Sequence, residues 1–282
     1  MKFNVSSSLE YQVFQPTTFI FNIQVSRSSG QTILEESLKV EPHFKLKEFT
    51  SADGSVRFIR LEVDEAVTFK INYDAIVDIK YKIIDHKKFL KNVPVVKLDT
   101  DIIPYLFPSR YCQSDKIQKL AYKEFGHYKT TYEKVAAINS WIYKNVEYIS
   151  GTTDSSTSAL DTLTERAGVC RDFAHLGIAL CRALSIPARY FTGYAYKLSP
   201  PDFHACFEAY IGSDWIFFDP TNLVPSNGLV KIGNGRDAAD AAVASIFGNT
   251  VCNSIHVNCE VLDPKFEPHH FHGKKRKGLS YQ

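Results

Sequence analysis

The chain has 282 residues, 44% of them hydrophobic and 23% charged, with a formal net charge of +2. That length suits one large domain or two ordinary ones, and the balanced charge excludes the basic footprint of a nucleic-acid binder. No apolar run approaches the roughly 20 residues of a membrane span. The opening Met1-Lys-Phe-Asn-Val-Ser-Ser-Ser lacks an apolar stretch with a small-residue cleavage site, so a cytoplasmic protein without membrane association is expected. The six cysteines, at 112, 170, 181, 206, 252 and 259, show no C-x-x-C spacing, which argues against zinc; without an export signal, reduced thiols are expected.

In chain order, residues 9 to about 85 read as strands. Tyr11-Gln-Val-Phe and Thr17 to Val25 are rich in β-branched and aromatic residues, and Ser26-Arg-Ser-Ser-Gly30 is a turn. Thr32–Val40 and His43–Thr50 flank Pro42. Asp53-Gly54 before Val56–Val63 is a hairpin signal. Val67–Tyr73 and Ile76–Ile84 complete an all-β, sandwich-like domain over residues 1–91, expected to serve packing or recognition because no cluster of Ser, His, Cys or acidic residues stands in it.

Pro94, Pro104 and Pro108 punctuate 92–112, read as the linker. Helices open the second domain, 113–266. Ser114 caps Asp115–Phe125. Thr130 and Glu133 have capping-box spacing before an apolar face (Val135, Ile138, Trp141, Ile142), and Ala159–Ala167 is a short helix stopped at Gly168. Ser185-Ile-Pro187 ends the next helix. Ala188–Tyr196 is a strand, and His204–Ile211 with Trp215–Asp219 form a hairpin around Gly212-Ser-Asp214. Gly233–Asp240 reads as a loop and Thr250–Leu262 as a last strand. The basic tail, 267–282, reads as mobile. Its His269, His270 and His272 lack the carboxylate spacing of a metal site.

The chemistry centres on Arg166-Ala-Gly-Val-Cys170-Arg-Asp-Phe-Ala-His-Leu-Gly-Ile-Ala-Leu-Cys-Arg-Ala-Leu184. This helix is apolar nearly all round, with a thin polar stripe at Arg171, His175 and Arg182, so it reads as a buried central helix. Cys170 opens it. The unpaired N–H groups of a helix start stabilise a thiolate and can receive an oxyanion, so Cys170 is a candidate nucleophile; the alternative is one more small buried residue. Asp172 suits the helix dipole. A thiolate needs a base, and the base an orienting acid. His204 begins one hairpin strand and Asp219 ends the other. A connecting loop with an even number of residues, such as Gly212-Ser213, pairs Cys206 with Asp219 and leaves His204 one diagonal step away on the same face; an odd loop separates them. The alternative makes His204 a loop-edge residue and Asp219 a turn-former before Pro220. Arg189 is expected in a structural ion pair, and Asn222 either holds a loop or turns the chain.

Gly168-Val-Cys170-Arg-Asp-Phe-Ala-His-Leu, Pro187-Ala-Arg-Tyr with Gly193-Tyr194, His204-Ala, and Asp219-Pro-Thr-Asn222 stand in order. Together they resemble the transglutaminase-like superfamily, in the bacterial branch of transglutaminase-like cysteine proteases. Gly235-Arg-Asp-Ala-Ala-Asp240 is similar to that branch's downstream motif, and the β-rich start to its N-terminal module. The resemblance implies an α+β, papain-like core in which the nucleophile helix packs on an antiparallel sheet, preceded by the all-β domain. It implies Cys170 as nucleophile, His204 as base and acid, and Asp219 as the orienting acid. No cofactor and no metal are expected; no EF-hand loop suggests calcium. The implied activity is acyl transfer from an amide of a protein or peptide through a thioester, with hydrolysis foremost. Amine transfer and a non-catalytic binding scaffold are the alternatives. Trp141 or the 151–158 loop stands as a candidate second oxyanion donor. One departure is Cys206, where the family usually has tryptophan. Oligomeric state is not legible.

Overall fold

The first strand shows why the β domain forms. From Lys2 to Val13 the residues Phe3, Val5, Ser7, Leu9, Tyr11 and Val13 are buried alternately, so one face of the strand enters the core. The three consecutive serines hide this alternation by propensity alone, and the strand begins earlier than residue 9. This is a computed structural model, and it describes every residue except 53, 86–88, 90–91, 271–276 and 282.

The strands before the helices are β1 (Lys2–Val13), β2 (Thr17–Phe21), β3 (Gln31–Glu41), β4 (Leu46–Thr50), β5 (Arg57–Val63), β6 (Val67–Ile79) and β7 (Lys82–Asp85). Then come α1 (Gln118–Phe125), α2 (Thr131–Asn145), β8 (Glu147–Tyr148), α3 (Ala159–Glu165), β9 (Ala167–Gly168) and α4 (Cys170–Ala183). The chain continues through β10 (Ala188–Ala195), β11 (Phe203–Ile211), β12 (Asp214–Phe218), β13 (Leu229–Gly235), α5 (Ala238–Ala241), β14 (Ala244–Phe247), β15 (Thr250–Val261) and β16 (Lys277–Ser280).

Two four-stranded sheets, β15-β1-β6-β3 and β14-β2-β5-β4, make the β domain. Their buried rows, including Val5, Leu9, Phe69 and Ile71 from one and Phe19, Phe21, Ile59 and Leu61 from the other, meet in one core. A third sheet, β12-β11-β10-β13, carries α4 on one face. The contact is close at Gly177: a Cβ there would stand 2.6 Å from the Phe207 ring of β11. The α+β architecture is as expected.

Three readings of the sequence need correction. First, β14 and β15 do not stay with the helices. Strand β15 pairs antiparallel with β1 from Phe3↔Val261 to Val13↔Thr250, and β14 pairs with β2, so the stretch ascribed to 113–266 returns to the first domain. Alternation marks a strand without saying which distant edge it joins. Second, Gly233–Gly235, read as the start of a loop, belongs to a buried strand, Leu229–Gly235, beside β10. Its glycines lack the apolar side chains that announce a strand, because neighbours fill that space: Val56 and Asn22 lie over Gly233, and Asp240 over Gly235. Third, the tail is docked before and after its undescribed part. His269 donates its N–H to Asn227 Oδ1 at 2.7 Å, β16 pairs with β7, and Tyr281 is buried. His272 and residues 274–276 lie outside the described residues, as does Asp53, although the β4–β5 hairpin around it is formed (Thr50↔Arg57).

The β domain and the third sheet share a core rather than meeting at a wet boundary. Phe191, Cys206 and Phe217 join the cluster that holds β1, β2, β5 and β6. Tyr194 of β10 donates to the Ile23 carbonyl at 2.7 Å and meets Ser7 Oγ at 2.9 Å. Gln31 brackets Lys231, donating to its carbonyl at 3.0 Å and accepting its N–H at 2.6 Å.

Tyr281 tests the docked terminus. Its hydroxyl donates to the Ser226 carbonyl at 2.6 Å and accepts the Leu229 N–H at 3.2 Å. Tyr281→Ala is expected to cost about 3–5 kcal/mol of unfolding free energy, as for other large buried aromatics, measured by urea denaturation. A change within about 0.5 kcal/mol, typical of surface positions, would return the segment to a mobile tail.

Candidate active site

The start of α4 is fixed from three sides. Arg166, in the left-handed region at φ 60°, turns the chain out of α3, and β9 pairs parallel with β8 through Glu147↔Ala167 and Tyr148↔Gly168. Asp172, in the first turn, accepts the Val169 N–H at 2.9 Å and the Thr153 hydroxyl at 2.8 Å on one oxygen, and Arg171 Nη2 at 3.0 Å on the other. Arg171 also donates to the Asp154 carbonyl at 2.6 Å. Asp172 thus satisfies an orphan donor of the helix start and ties the 151–158 loop to it. A Cβ on Gly168 would stand 2.8 Å from the Asp172 Cβ, so the close approach requires glycine. Cys170 is the first residue of the helix and only partly buried, whereas Cys112, Cys181, Cys206 and Cys259 are buried.

The polar stripe of α4 is not a solvated face. His175 is fully buried, stacked on Tyr111 with ring centroids 4.9 Å apart, and its Nε2 accepts the Ala238 N–H at 3.1 Å. Burial, with Arg171 and Arg182 nearby, holds it well below the usual histidine range, so it is neutral. Arg182 donates to the carbonyls of Phe107, Ala188 and Arg236. It clamps the segment before α1 and the one after β13 to the helix.

The hairpin has the even register. Strands β11 and β12 pair from Ile211↔Asp214 to Phe207↔Phe218 across the two-residue turn Gly212-Ser213, whose φ values of 61° and 73° are the type I′ signature. Continuing the ladder sets Cys206 opposite Asp219 and His204 on the diagonal. His204 Nε2 and Asp219 Oδ2 are 2.9 Å apart, and the other carboxylate oxygen accepts the N–H (2.9 Å) and hydroxyl (2.7 Å) of Thr221. His204 Nδ1, buried, has no hydrogen-bond partner, while Cys170 is near enough to bias the imidazole as a hydrogen-bonding neighbour. Burial alone would lower the His204 pKa, but its neighbours Cys206, Asp219 and Cys170 outweigh burial and raise it well above the usual value. Burial pushes the Cys206 thiol up to about 12. A thiol neutral at the pH where imidazole titrates supplies no charge, so the lasting anionic partner is Asp219. Cys206, by alternation, shares the His204 face and lies with it and Asp219 in a cluster of donor atoms no more than 4.8 Å apart.

Tyr148 is the neighbour that sequence reasoning missed. Its ring packs on Phe173, one turn along from Cys170, with centroids 5.8 Å apart. Its hydroxyl is raised to about 12, first by burial and then by Cys170, with His204 opposing and the Cys170 backbone among its hydrogen-bonding neighbours. A two-residue parallel ladder has no period to detect, so nothing in the sequence marked this tyrosine. Trp141 instead packs edge-on to Phe125 and under the Arg166 guanidinium, 4.6 Å from its ring centre. Arg189 has the expected structural role: it bonds Glu208 at 2.6 Å and lies over Trp215 at 4.2 Å. Burial would raise Glu208, but Arg189 and Lys231 hold it below the usual carboxylate range. Asn222 turns the chain, at φ 54°.

The His204 shift has a stability consequence of definite sign. A raised folded-state pKa contributes stability fully present below the unfolded value of 6.5 and lost as pH rises through the folded value. Stability is therefore expected to fall between pH 6.5 and 8, before the buried cysteines contribute, by no more than about 1.4 kcal/mol per pH unit. Asp219→Asn should flatten that slope in urea titrations; an unchanged slope would mean that the pair does not carry it.

The chain is similar to known proteins along its length. The profile of the bacterial transglutaminase N-terminal domain matches residues 1–101, and that of the transglutaminase-like superfamily matches 118–220. A solved structure from Cytophaga hutchinsonii, described as a "putative cysteine protease", is 64% identical, covering 100% of this chain and 98% of its own, with a TM-score of 0.98. An uncharacterized protein of Mycobacterium leprae is 38% identical over 117 residues, 38% of this chain and 42% of its own. One from Mycobacterium tuberculosis H37Rv is 32% identical over 167 residues, 53% of each. The chain spans about half the length of these curated mycobacterial relatives. With both profiles in order and a full-length structural relative, the chain belongs to the transglutaminase-like superfamily.

Proposed function

We propose that Cys170, His204 and Asp219 are the catalytic triad of a thiol enzyme that cleaves amide bonds of proteins or peptides through a thioester. The observation that carries this reading is the His204–Asp219 bond of 2.9 Å, buried, with the second ring nitrogen left for Cys170. The Cys170 thiolate attacks the amide carbonyl carbon. The oxyanion that forms is received by the Cys170 N–H at the helix start and by the Tyr148 hydroxyl. The His204 imidazolium protonates the departing nitrogen, and the collapse of the adduct leaves a thioester on Cys170. Neutral His204 then takes a proton from water, whose oxygen attacks the thioester and releases the acid. Asp219, oriented by Thr221, holds the imidazole in position and offsets its charge. The bacterial cysteine-protease relative supports hydrolysis as the outcome.

Iodoacetamide at pH 6, followed by peptide mapping, is expected to label Cys170 ahead of the other five thiols. His204→Ala should slow that labelling about 100-fold, the scale of a lost acid–base partner. Labelling of Cys170 that ignores the substitution would overturn the triad and leave a binding scaffold. On a glutamine-containing peptide, ammonia release without uptake of an added primary amine is expected, and amine uptake at the same rate would make the protein a transferase. Tyr148→Phe is expected to lower kcat by roughly 100-fold with KM unchanged, the scale of one lost oxyanion donor. A changed KM with kcat intact would make Tyr148 a substrate contact instead.

A further inference from the structure

The triad does not account for Cys206. Its sulfur is buried beside a His204 ring nitrogen and an Asp219 oxygen, all three within 4.8 Å of one another, and no other such His/Cys/carboxylate group occurs among the described residues. We infer that His204, Cys206 and Asp219 form a binding site for a thiophilic divalent cation, with zinc as the matching ion.

The donor set is one thiolate, one imidazole and one carboxylate, each a common zinc ligand. The geometry needs little movement. Zinc–nitrogen and zinc–oxygen bonds of about 2.0–2.2 Å at a tetrahedral angle separate the two donors by about 3.4 Å, against 2.9 Å for His204 Nε2 and Asp219 Oδ2 now. The cation would take the place of the proton that these two groups share. A zinc–sulfur bond of about 2.3 Å sets sulfur about 3.6 Å from the other donors, an approach of little more than an ångström from the present limit. The charges also close. Binding releases one proton from the Cys206 thiol and one from the His204 imidazolium, so the dication meets one thiolate, one carboxylate and a neutral ring. A site with no net charge suits surroundings that exclude water. A water can complete the four-coordinate shell.

The ligands escape spacing rules because they come from two places: His204 and Cys206 two apart on one face of β11, and Asp219 from the end of the neighbouring strand. With His204 ligated, no base remains for Cys170, so the cation would silence the enzyme reversibly. That inhibition rests on the triad proposed above, whereas the binding itself does not.

The test uses the full chain, reduced and freed of metal, dialysed against low-micromolar zinc chloride. Wild type is expected to retain about one zinc per chain, and Cys206→Ala to bind roughly tenfold or more weakly, the scale of a disturbed zinc site. Cobalt(II) in place of zinc should give a sulfur-to-cobalt charge-transfer band in wild type and in Cys170→Ala but not in Cys206→Ser, which keeps the side-chain size. Zinc should stop amide cleavage by wild type and spare Cys206→Ala. Wild type that retains no zinc, or a Cys206→Ser protein with the wild-type unfolding midpoint and an intact cobalt band, would overturn the site. If the triad reading fails instead, zinc retention and the cobalt band remain while the activity arm has nothing to inhibit.

Discussion

The bond between His204 and Asp219 depends on a two-residue turn. Gly212 and Ser213, both at positive φ, are what a type I′ turn requires, and their number sets the ladder from Ile211↔Asp214 outward. One residue more without a bulge would move Asp219 to the helix side of the sheet. The imidazole would then lose its carboxylate, its raised pKa and its orientation together. Gly177 and Phe207 hold the other half of the arrangement: their contact seats α4 on β11, which brings the helix that begins at Cys170 to the strand that carries His204.

Behind this line of contacts the sheet is unusually polar for a buried surface. The face that carries His204 and Cys206 continues to Glu208, which is neutralised by Arg189 at 2.6 Å and Lys231 at 3.6 Å. Paired with two cations, this buried carboxylate is held below its usual range. Arg182 plays the matching part on the helix side, where its hydrogen bonds to backbone carbonyls hold the flanking segments without adding an anion.

Local chemistry was legible in the sequence and long-range assembly was not. Thr130 and Glu133 form the capping box their spacing announces, at 3.2 and 3.1 Å. The helix from Cys170 is buried as its composition requires, whereas the parity of the hairpin loop stayed open in the sequence and is set by the pairing Ile211↔Asp214. Strand β13 was missed because its glycines are silent in a hydrophobic pattern, and Tyr148 because a parallel ladder of two residues has no period. The sheet joined by β15 could not be read either, since alternation tells which face of a strand is buried and not which edge it meets. The thin polar stripe on α4 was legible too, but its partners were not. His175 and Arg182 are polar, but backbone groups satisfy them inside the core, and a sequence does not show such partners.

The return of β15 to β1 bears on how the chain reaches this state. The two strands lie at opposite ends of the sequence, yet they form one of the longest ladders in the molecule. During synthesis β1 leaves the ribosome well before β15 and waits for it. Until then its outer edge offers unpaired N–H and C=O groups to any passing strand. Such non-local pairing must overcome the entropy of closing almost the whole chain before it yields a contact, so it belongs to the slow end of folding. The pairing of β15 with β1 then closes that edge.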